Sequence, residues 1–541
     1  MASVVSPPPP TSAISSQPFA GNAAFQSKSK GTDVRLSNMT AAKAISDTIQ
    51  TSLGPKGMDK MIQTSKGELI ITNDGATIMK SLQALHPAAK MLVEMSIAQD
   101  VEAGDGTTTV VVLAGSLLSA AERMLVKGFH PSIIADSFMQ ASAKAVEYLT
   151  EISTPVSLDD RAVLIKAAAT SLNSKIISTY SNTLAPIAVD AVMRITDTAS
   201  LNVDLRDIRI IKRTGGTIED TALITEGLVL HQNAITSAGG PSRMESAKIG
   251  LIQFQLSAPK PDMDNTVVIA NYRQMDKVAQ EQRKYILSLC SKIKKSDCNV
   301  LLIQKSILRD AVDELALHLL ARLNILIVKD VEREEVAFLS KTLRCTPVSD
   351  IEAFSSEKLG RADIVEEVSQ YGSKYVKISG IANMGRTVSI VAMGPNSLIV
   401  DEVERSLHDA LCVMRCLIKK RALIAGGGAP EVDVSRMLSA HGRSLKGSQA
   451  YCFQAYADAL EVIPITLAEN AGLNAISILT ELRNRHARGE RNAGIDMRKG
   501  LVSDVFSEDV VQPLLVSTSA FELATETVCL LLKLDDYVQA R

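Results

Sequence analysis

Hydrophobic positions along this chain change their period several times. From Met39 to Ser52 apolar residues recur at helical spacing, and the pattern stops at Leu53-Gly54-Pro55-Lys56-Gly57, where Gly and Pro both end helices. Glu68 to Thr72 reads as a short strand, Asn73-Asp74-Gly75 is a turn signal, and Ala76-Thr77-Ile78-Met79 continues beyond it. Ala-rich helical patterns then run to about Ile152, and Thr154-Pro155 marks a break. A second helical stretch covers about Leu158 to Thr198. Ile208 to Lys212, Ala222 to Thr225 and Lys248 to Gln255 follow as strands, with Gly215-Gly216 and Gly239-Gly240-Pro241 as loops. Val300 to Gln304, Asp310 to Leu323 and Ile325 to Lys329 predict strand, helix, strand. Long helices return from Val403 onward. The order is helical, then mixed α/β between about Gly227 and Gly380, then helical, as when one domain is inserted into a discontinuous one. No short-period repeat is present.

Composition narrows the class. The 541 residues suggest about three to four domains. Aromatics are 4% and Trp is absent, so the core must be aliphatic. A net charge of −2 gives no global basic field for nucleic acid, and runs such as Lys292-Ile293-Lys294-Lys295 and Lys419-Lys420-Arg421 fit solvated faces or helix ends. Seven scattered cysteines suit a reducing compartment. No continuous apolar run approaches the ~18–20 residues that span a bilayer, so no membrane role is expected. The segment through about Gly31 is rich in Ser, Ala and Pro, with no acidic residue before Asp33. It reads as a disordered tail. An organelle transit peptide is the sharper alternative, but Arg and a clear amphipathic helix are missing.

The chemistry concentrates in Gly104-Asp105-Gly106-Thr107-Thr108-Thr109, ahead of a run that reads as a buried helix. Glycine admits a ligand close to the backbone, a helix N-terminus suits phosphate, and Asp105 can hold a hard cation such as Mg²⁺. No Walker A sequence occurs, so the ordinary P-loop is excluded. Gly54-Pro55-Lys56-Gly57 is a helix stop or a second backbone wall against phosphate. Gly426-Gly427-Gly428-Ala429-Pro430-Glu431 is a flexible turn before a helix or a bed for a nucleoside. Asp409, inside a helix, is a surface carboxylate or one that activates water for attack on a γ-phosphoryl group. His408, Cys412 and Cys416 share one helical face, but at about 12 Å of axis they span too far for one zinc ion, which favours a packed stripe. Metalloprotease, α/β-hydrolase and zinc-ribbon motifs are absent.

Taken together, Leu53-Gly54-Pro55-Lys56-Gly57-Met58-Asp59-Lys60, Asn73-Asp74-Gly75-Ala76-Thr77-Ile78, the Gly104–Thr109 motif and the Gly426–Glu431 motif resemble the group II chaperonins, in family order and from about Thr32 onward. The resemblance implies a multidomain α/β chaperonin fold. Residues 1–31 would be the tail. A mostly helical, discontinuous equatorial ATPase domain would cover 32–156 and 416–541, and an α/β intermediate domain 157–227 and 383–415. An α/β apical domain would cover 228–382, with a helical protrusion at about 259–289. There Tyr272, Met275, Val278, Gln282, Tyr285 and Leu289 lie near one helical face, for internal packing or for lid and client contact.

The resemblance also implies ATP/ADP and Mg²⁺ as cofactors. Asp105 matches the metal-binding aspartate, and Gly54, Gly106, Thr107, Thr108 and Thr109 the phosphate positions. Asp74 matches a second site carboxylate and Asp409 the aspartate that positions the attacking water. Asn173-Ser174-Lys175 matches the loop that senses the γ-phosphate, and Gly427 the nucleoside-side glycine. Gln512 departs from a Glu that contacts the ribose in many archaeal relatives. The implied function is ATP-driven folding of non-native clients, actin and tubulin among them, in a cytoplasmic hetero-oligomeric double ring with other chaperonin subunits. A ring scaffold with little ATPase activity and a small-molecule kinase are the rivals, and no acceptor pocket for the kinase is visible in the sequence.

Overall fold

Three bodies of buried apolar side chains form, and the first draws on both ends of the chain. The computed structural model describes residues 28–64, 67–196, 202–257, 272–306, 310–381 and 385–536. The helix Thr107–Val126 runs through the first core, with Val110, Val111, Leu113, Leu117 and Leu118 closed to solvent. Around it pack Lys28–Gln50, Pro131–Ile152, Ser448–Leu460 and Leu514–Lys533. With so few aromatics the fit is made by Ala, Leu and Val. Phe138 and Tyr456 meet edge-on at 5.5 Å, and the Tyr456 hydroxyl bonds Thr525 at 2.9 Å. The helices Thr107–Val126 and Leu514–Lys533 are apolar enough on average to pass for membrane spans, although neither contains an unbroken apolar run. Burial of 61% and 78% of their apolar windows marks them as helices of a packed interior.

The second core joins the helices Arg161–Leu172 and Ser181–Ile195 to a three-stranded sheet and the helix Ser397–Lys419. In that sheet Val388–Gly394 is central, parallel to Ile208–Thr214 and antiparallel to Ala222–Ile224. The third body is a six-stranded sheet ordered Gly227–Leu230, Ser373–Ile381, Gly360–Gln370, Arg243–Ile252, Val300–Gln304, Leu326–Val331. Its last three strands are parallel, with the helices Tyr272–Lys295 and Glu314–Arg322 in the connections, as parallel pairing requires. One face covers Leu228, Ile249 and Val365, and the other covers Ile252, Leu301 and Ile303.

Several details differ from the sequence reading. The turn signal Asn73-Asp74-Gly75 starts the helix Gly75–Ser81, because the Asp74 carboxylate caps it. The stretch from Leu158 to Thr198 breaks at Asn173, and the strand expected from Lys248 begins at Arg243. The first helix begins at Lys28, inside the segment read as tail, of which residues 1–27 lie outside the described residues. In the proposed protrusion, residues 258–271 also lie outside them. Tyr272, Met275 and Tyr285 are 74%, 63% and 45% exposed, whereas Leu289 is buried with Ile286 and Ile293. The stripe therefore packs internally only at its C-terminal end. All seven cysteines are free and buried.

Glu431, in the first turn of Ala429–Ser444, is buried, and its Oε2 has no hydrogen-bond partner among the described residues. Burial pushes its carboxyl up to about 7 from an ordinary 4.5. Between those values the folded chain binds more protons than the unfolded one, so this group makes stability fall as pH rises through the window. Glu431→Gln should remove that dependence, matching wild type near pH 4.5 and gaining about 3 kcal/mol above pH 7, as read from denaturant midpoints across pH.

Candidate functional site

The Gly104–Thr109 motif forms the entry to its buried helix. Gly106 is the N-cap residue at φ 74°, and Asp105 Oδ1 accepts the Gly106 N–H at 2.7 Å. Thr107 to Thr109 form the first turn, where backbone N–H groups have no intrahelical acceptor. The second Asp105 carboxylate oxygen remains for a cation.

Asp74 faces this turn from the neighbouring short helix. Its oxygens accept the backbone N–H groups of Ala76 and Thr77 and the Thr77 hydroxyl. The Thr107 hydroxyl lies 3.4 Å from Asp74 Oδ1. Gly75 makes the approach possible: a Cβ there would stand 2.6 Å from Thr108 Oγ1 and 2.8 Å from its backbone nitrogen. Asn73 donates from Nδ2 to the Ser174 carbonyl at 3.2 Å, which fixes the Asn173-Ser174-Lys175 loop against the same corner.

That loop buries Lys175 between two carboxylates. Its Nζ lies 2.7 Å from Asp409 Oδ2 and 3.9 Å from Asp74 Oδ1. Burial opposes the ammonium charge, but Asp409 and Asp74 outweigh it and hold Lys175 protonated well above its usual range. Burial also raises Asp74, and there Lys175 and the Thr77 and Ala76 hydrogen bonds win, so its carboxyl is lowered. For Asp409 burial dominates. Its carboxyl is pushed well up, with Asp74 and Asp105 adding to the rise and Lys175 only moderating it. Asp74, Asp105 and Asp409 thus stand around one ammonium, so acidic groups outnumber the basic one at this corner. Among the described residues no group of three or more His, Cys, Asp or Glu could cage a metal. Mg²⁺ takes one or two carboxylates and fills its shell with phosphate and water, so Asp105 is a side chain that could hold it.

The other candidates line a separate wall. Gly54, at φ 86°, packs against Leu467 and Met497, and Asn470 bonds the Gln50 and Leu53 carbonyls to hold that turn. Gly427, at φ 63°, lies against the backbone of Ile495, whose N–H it accepts at 3.0 Å. Gln512 pairs with Ile424, two residues before the glycine run, and donates to Ser517 at 2.8 Å. Hydrogen bonds and ion pairs bring Asp74, Thr107, Ser174, Lys175 and Asp409 together through Asn73 and Lys175; among the described residues none joins Gly54, Gly427 or Gln512 to them. Sequence reasoning missed Asn73, Gly75, Thr77 and Gln99. The first three stand beside Asp74 in its own motif, whereas nothing in the sequence marks Gln99.

A cavity of about 340 Å³ borders Asp74 and Asp409 and is walled by Arg209, Arg405 and His408. His408 does not build a zinc site with the cysteines. Cys412 Sγ lies 3.6 Å from His408 Nε2, and Cys416 donates to the Ala103 carbonyl.

The TCP-1/cpn60 chaperonin family pattern matches residues 45–541. The chain is 60% identical to T-complex protein 1 subunit delta of Schizosaccharomyces pombe, over 96% of this chain and 98% of the relative. It is 59% identical to the subunit of that name from Saccharomyces cerevisiae (96% and 99%) and 58% to that from Bos taurus (98% and 98%).

Cys412 sets the distance between the phosphate loop and the helix carrying Asp409. A Cβ on Gly104, whose φ is 70°, would stand 2.2 Å from Cys412 Cβ. Gly104→Ala should cost about 2–4 kcal/mol, from the left-handed backbone and the overlap together. Cys412→Gly in the same chain should recover part of the loss in thermal midpoint. No recovery would mean that the overlap is relieved elsewhere.

Proposed function

The chain belongs to the TCP-1/cpn60 chaperonin family, and on that premise we propose that it binds Mg²⁺-ATP and hydrolyses it to ADP and phosphate. The observation that carries this reading is the Lys175 ammonium, 2.7 Å from Asp409 and 3.9 Å from Asp74, with Asp74 in turn meeting Thr107 at the start of a phosphate-ready helix. The first-turn N–H groups of Thr107 to Thr109 receive the phosphates. Asp105 would hold Mg²⁺, which supplies neutralisation of phosphate charge when bound. Gly54 and Gly427 admit phosphate and nucleoside close to the backbone. Gln512 gives its N–H to Ser517 and keeps its carbonyl oxygen for a ribose hydroxyl.

In hydrolysis, Asp409 orients the attacking water and takes its proton; its raised carboxyl pKa supports that step. The water oxygen bonds to the γ-phosphorus as the bond to the bridging oxygen breaks. Lys175 holds Asp409 in place and offers positive charge to the transferring group. Asp74 keeps Lys175 protonated and tied to the Thr107 turn.

Residues 32–156 with 416–541, residues 157–227 with 383–415, and residues 228–382 are on this reading the equatorial, intermediate and apical domains. Their separate cores support the division. Asp409 sits in a helix that packs mainly in the second core and rests on the Gly104 loop through Cys412 and Cys416, so nucleotide that prefers one position of that helix biases the arrangement of the bodies. The protein then acts in the cytoplasm, in a hetero-oligomeric double ring with other chaperonin subunits, closing over non-native clients. The names of its relatives support the assembly. Nothing favours a silent scaffold, since the carboxylates and Lys175 are all in place.

Asp409→Ala should leave Mg²⁺-ATP binding intact and lower turnover by about 10²–10⁴-fold in rings whose other subunits are catalytically silenced; unchanged turnover would sink the role. Asp105→Ala should instead abolish the gain in nucleotide affinity that Mg²⁺ brings, measured by titration with and without the ion. Native mass spectrometry should find the chain in a large particle with other subunits, and a free monomer under mild conditions would contradict the assembly.

A further inference from the structure

Gln99 is a fully buried amide in the helix Pro87–Glu102, outside every motif recognised in the sequence. Its Nε2 donates to the Asp105 carbonyl at 3.0 Å and to the Val516 carbonyl at 3.3 Å, and its Oε1 accepts the Ser519 hydroxyl at 2.7 Å. Its own carbonyl accepts the N–H groups of Ala103 at 2.9 Å and Gly104 at 3.1 Å. One residue therefore holds the phosphate loop by side chain and main chain, and ties it to the helix Leu514–Lys533, more than 400 residues away in sequence. The helix ladder starts with Val110 N–H bonding the Gly106 carbonyl, so the Asp105 carbonyl lies before it. A buried carbonyl with no donor is costly, and Gln99 supplies that donor. Gly106 lets Val516 close in behind: a Cβ there would stand 2.9 Å from Val516 Cγ1.

We infer that Gln99 is a positioning residue for Mg²⁺-nucleotide: it fixes the Asp105 peptide, and with it the carboxylate that meets the cation, against the helix that follows Gln512. It touches no ligand itself. The inference rests on the nucleotide reading above.

Two nearly isosteric variants test it. Gln99→Met removes all three side-chain hydrogen bonds. Gln99→Glu removes both donations and turns a carboxylate toward two carbonyls. Each is made in the full-length chain, assembled in its ring, and nucleotide uptake is read on this chain by azido-ATP photolabelling in competition with ATP, with Mg²⁺ or with EDTA. Both variants should weaken Mg²⁺-ATP binding about tenfold, the effect of losing hydrogen bonds worth about 1.4 kcal/mol, while binding in EDTA changes less than about twofold. The Mg²⁺-dependent gain in affinity thus shrinks, a ratio that a merely structural role leaves alone. Lower thermal midpoints with an unchanged ratio in both variants would overturn the inference. Wild-type chain that takes up no Mg²⁺-ATP would instead sink the nucleotide reading, and this inference with it.

Discussion

A single ammonium buried among carboxylates is the constraint on which the rest of this site depends. Lys175 lies against Asp409 and Asp74, and its charge has no solvent to fall back on. Removing one member of such a pair leaves an uncompensated buried charge, which costs about 3–5 kcal/mol. The segments that carry the three side chains must therefore meet. They come from the ends of two helices and the middle of a third, in two different cores. Acidic groups outnumber the ammonium at this corner, which suits a cation.

Around this contact, glycine decides how near the elements can come. Gly75 brings the Asp74 turn onto Thr107 and Thr108, and Gly104 lets the Asp409 helix rest on the phosphate loop through Cys412. Both are backbone-to-side-chain contacts that a methyl group would open. Asn73 and Gln99 then supply the hydrogen bonds that hold the loops at those distances. The stripe of His408, Cys412 and Cys416 belongs to the same packing, with Cys412 against Gly104 and Cys416 bonded to the Ala103 carbonyl.

For a chaperonin, the value of this design lies in where the parts come from. The Gly104–Thr109 loop opens the central helix of an aliphatic core, whereas Asp409 and Lys175 belong to elements of the second core. A ligand that touches both sides reports on their relative position. On the reading proposed above, ring closure driven by nucleotide needs that geometry, because a ligand shifts an equilibrium only through different contacts in the two states.

Much of this was legible in the chain. The order of helical and α/β stretches, the strand Val300–Gln304 and the helix start at Thr107 follow from local period and capping chemistry, which depend on neighbours in sequence. Four motifs in order carried the family and contain Asp74 and Asp105; Lys175 and Asp409, outside those motifs, followed from the resemblance. Asn73-Asp74-Gly75 reads as a turn signal because a cap and a turn use the same residues, and only the following helix separates them. The break at Asn173 hid inside a continuous apolar pattern. Only the tertiary structure could put Lys175 within 2.7 Å of Asp409, show that Gly104 receives Cys412, and reveal Gln99 as the tie between Asp105 and the last helix. Local sequence sets which elements form; contacts between groups hundreds of residues apart depend on how whole cores pack, and no local pattern encodes that distance.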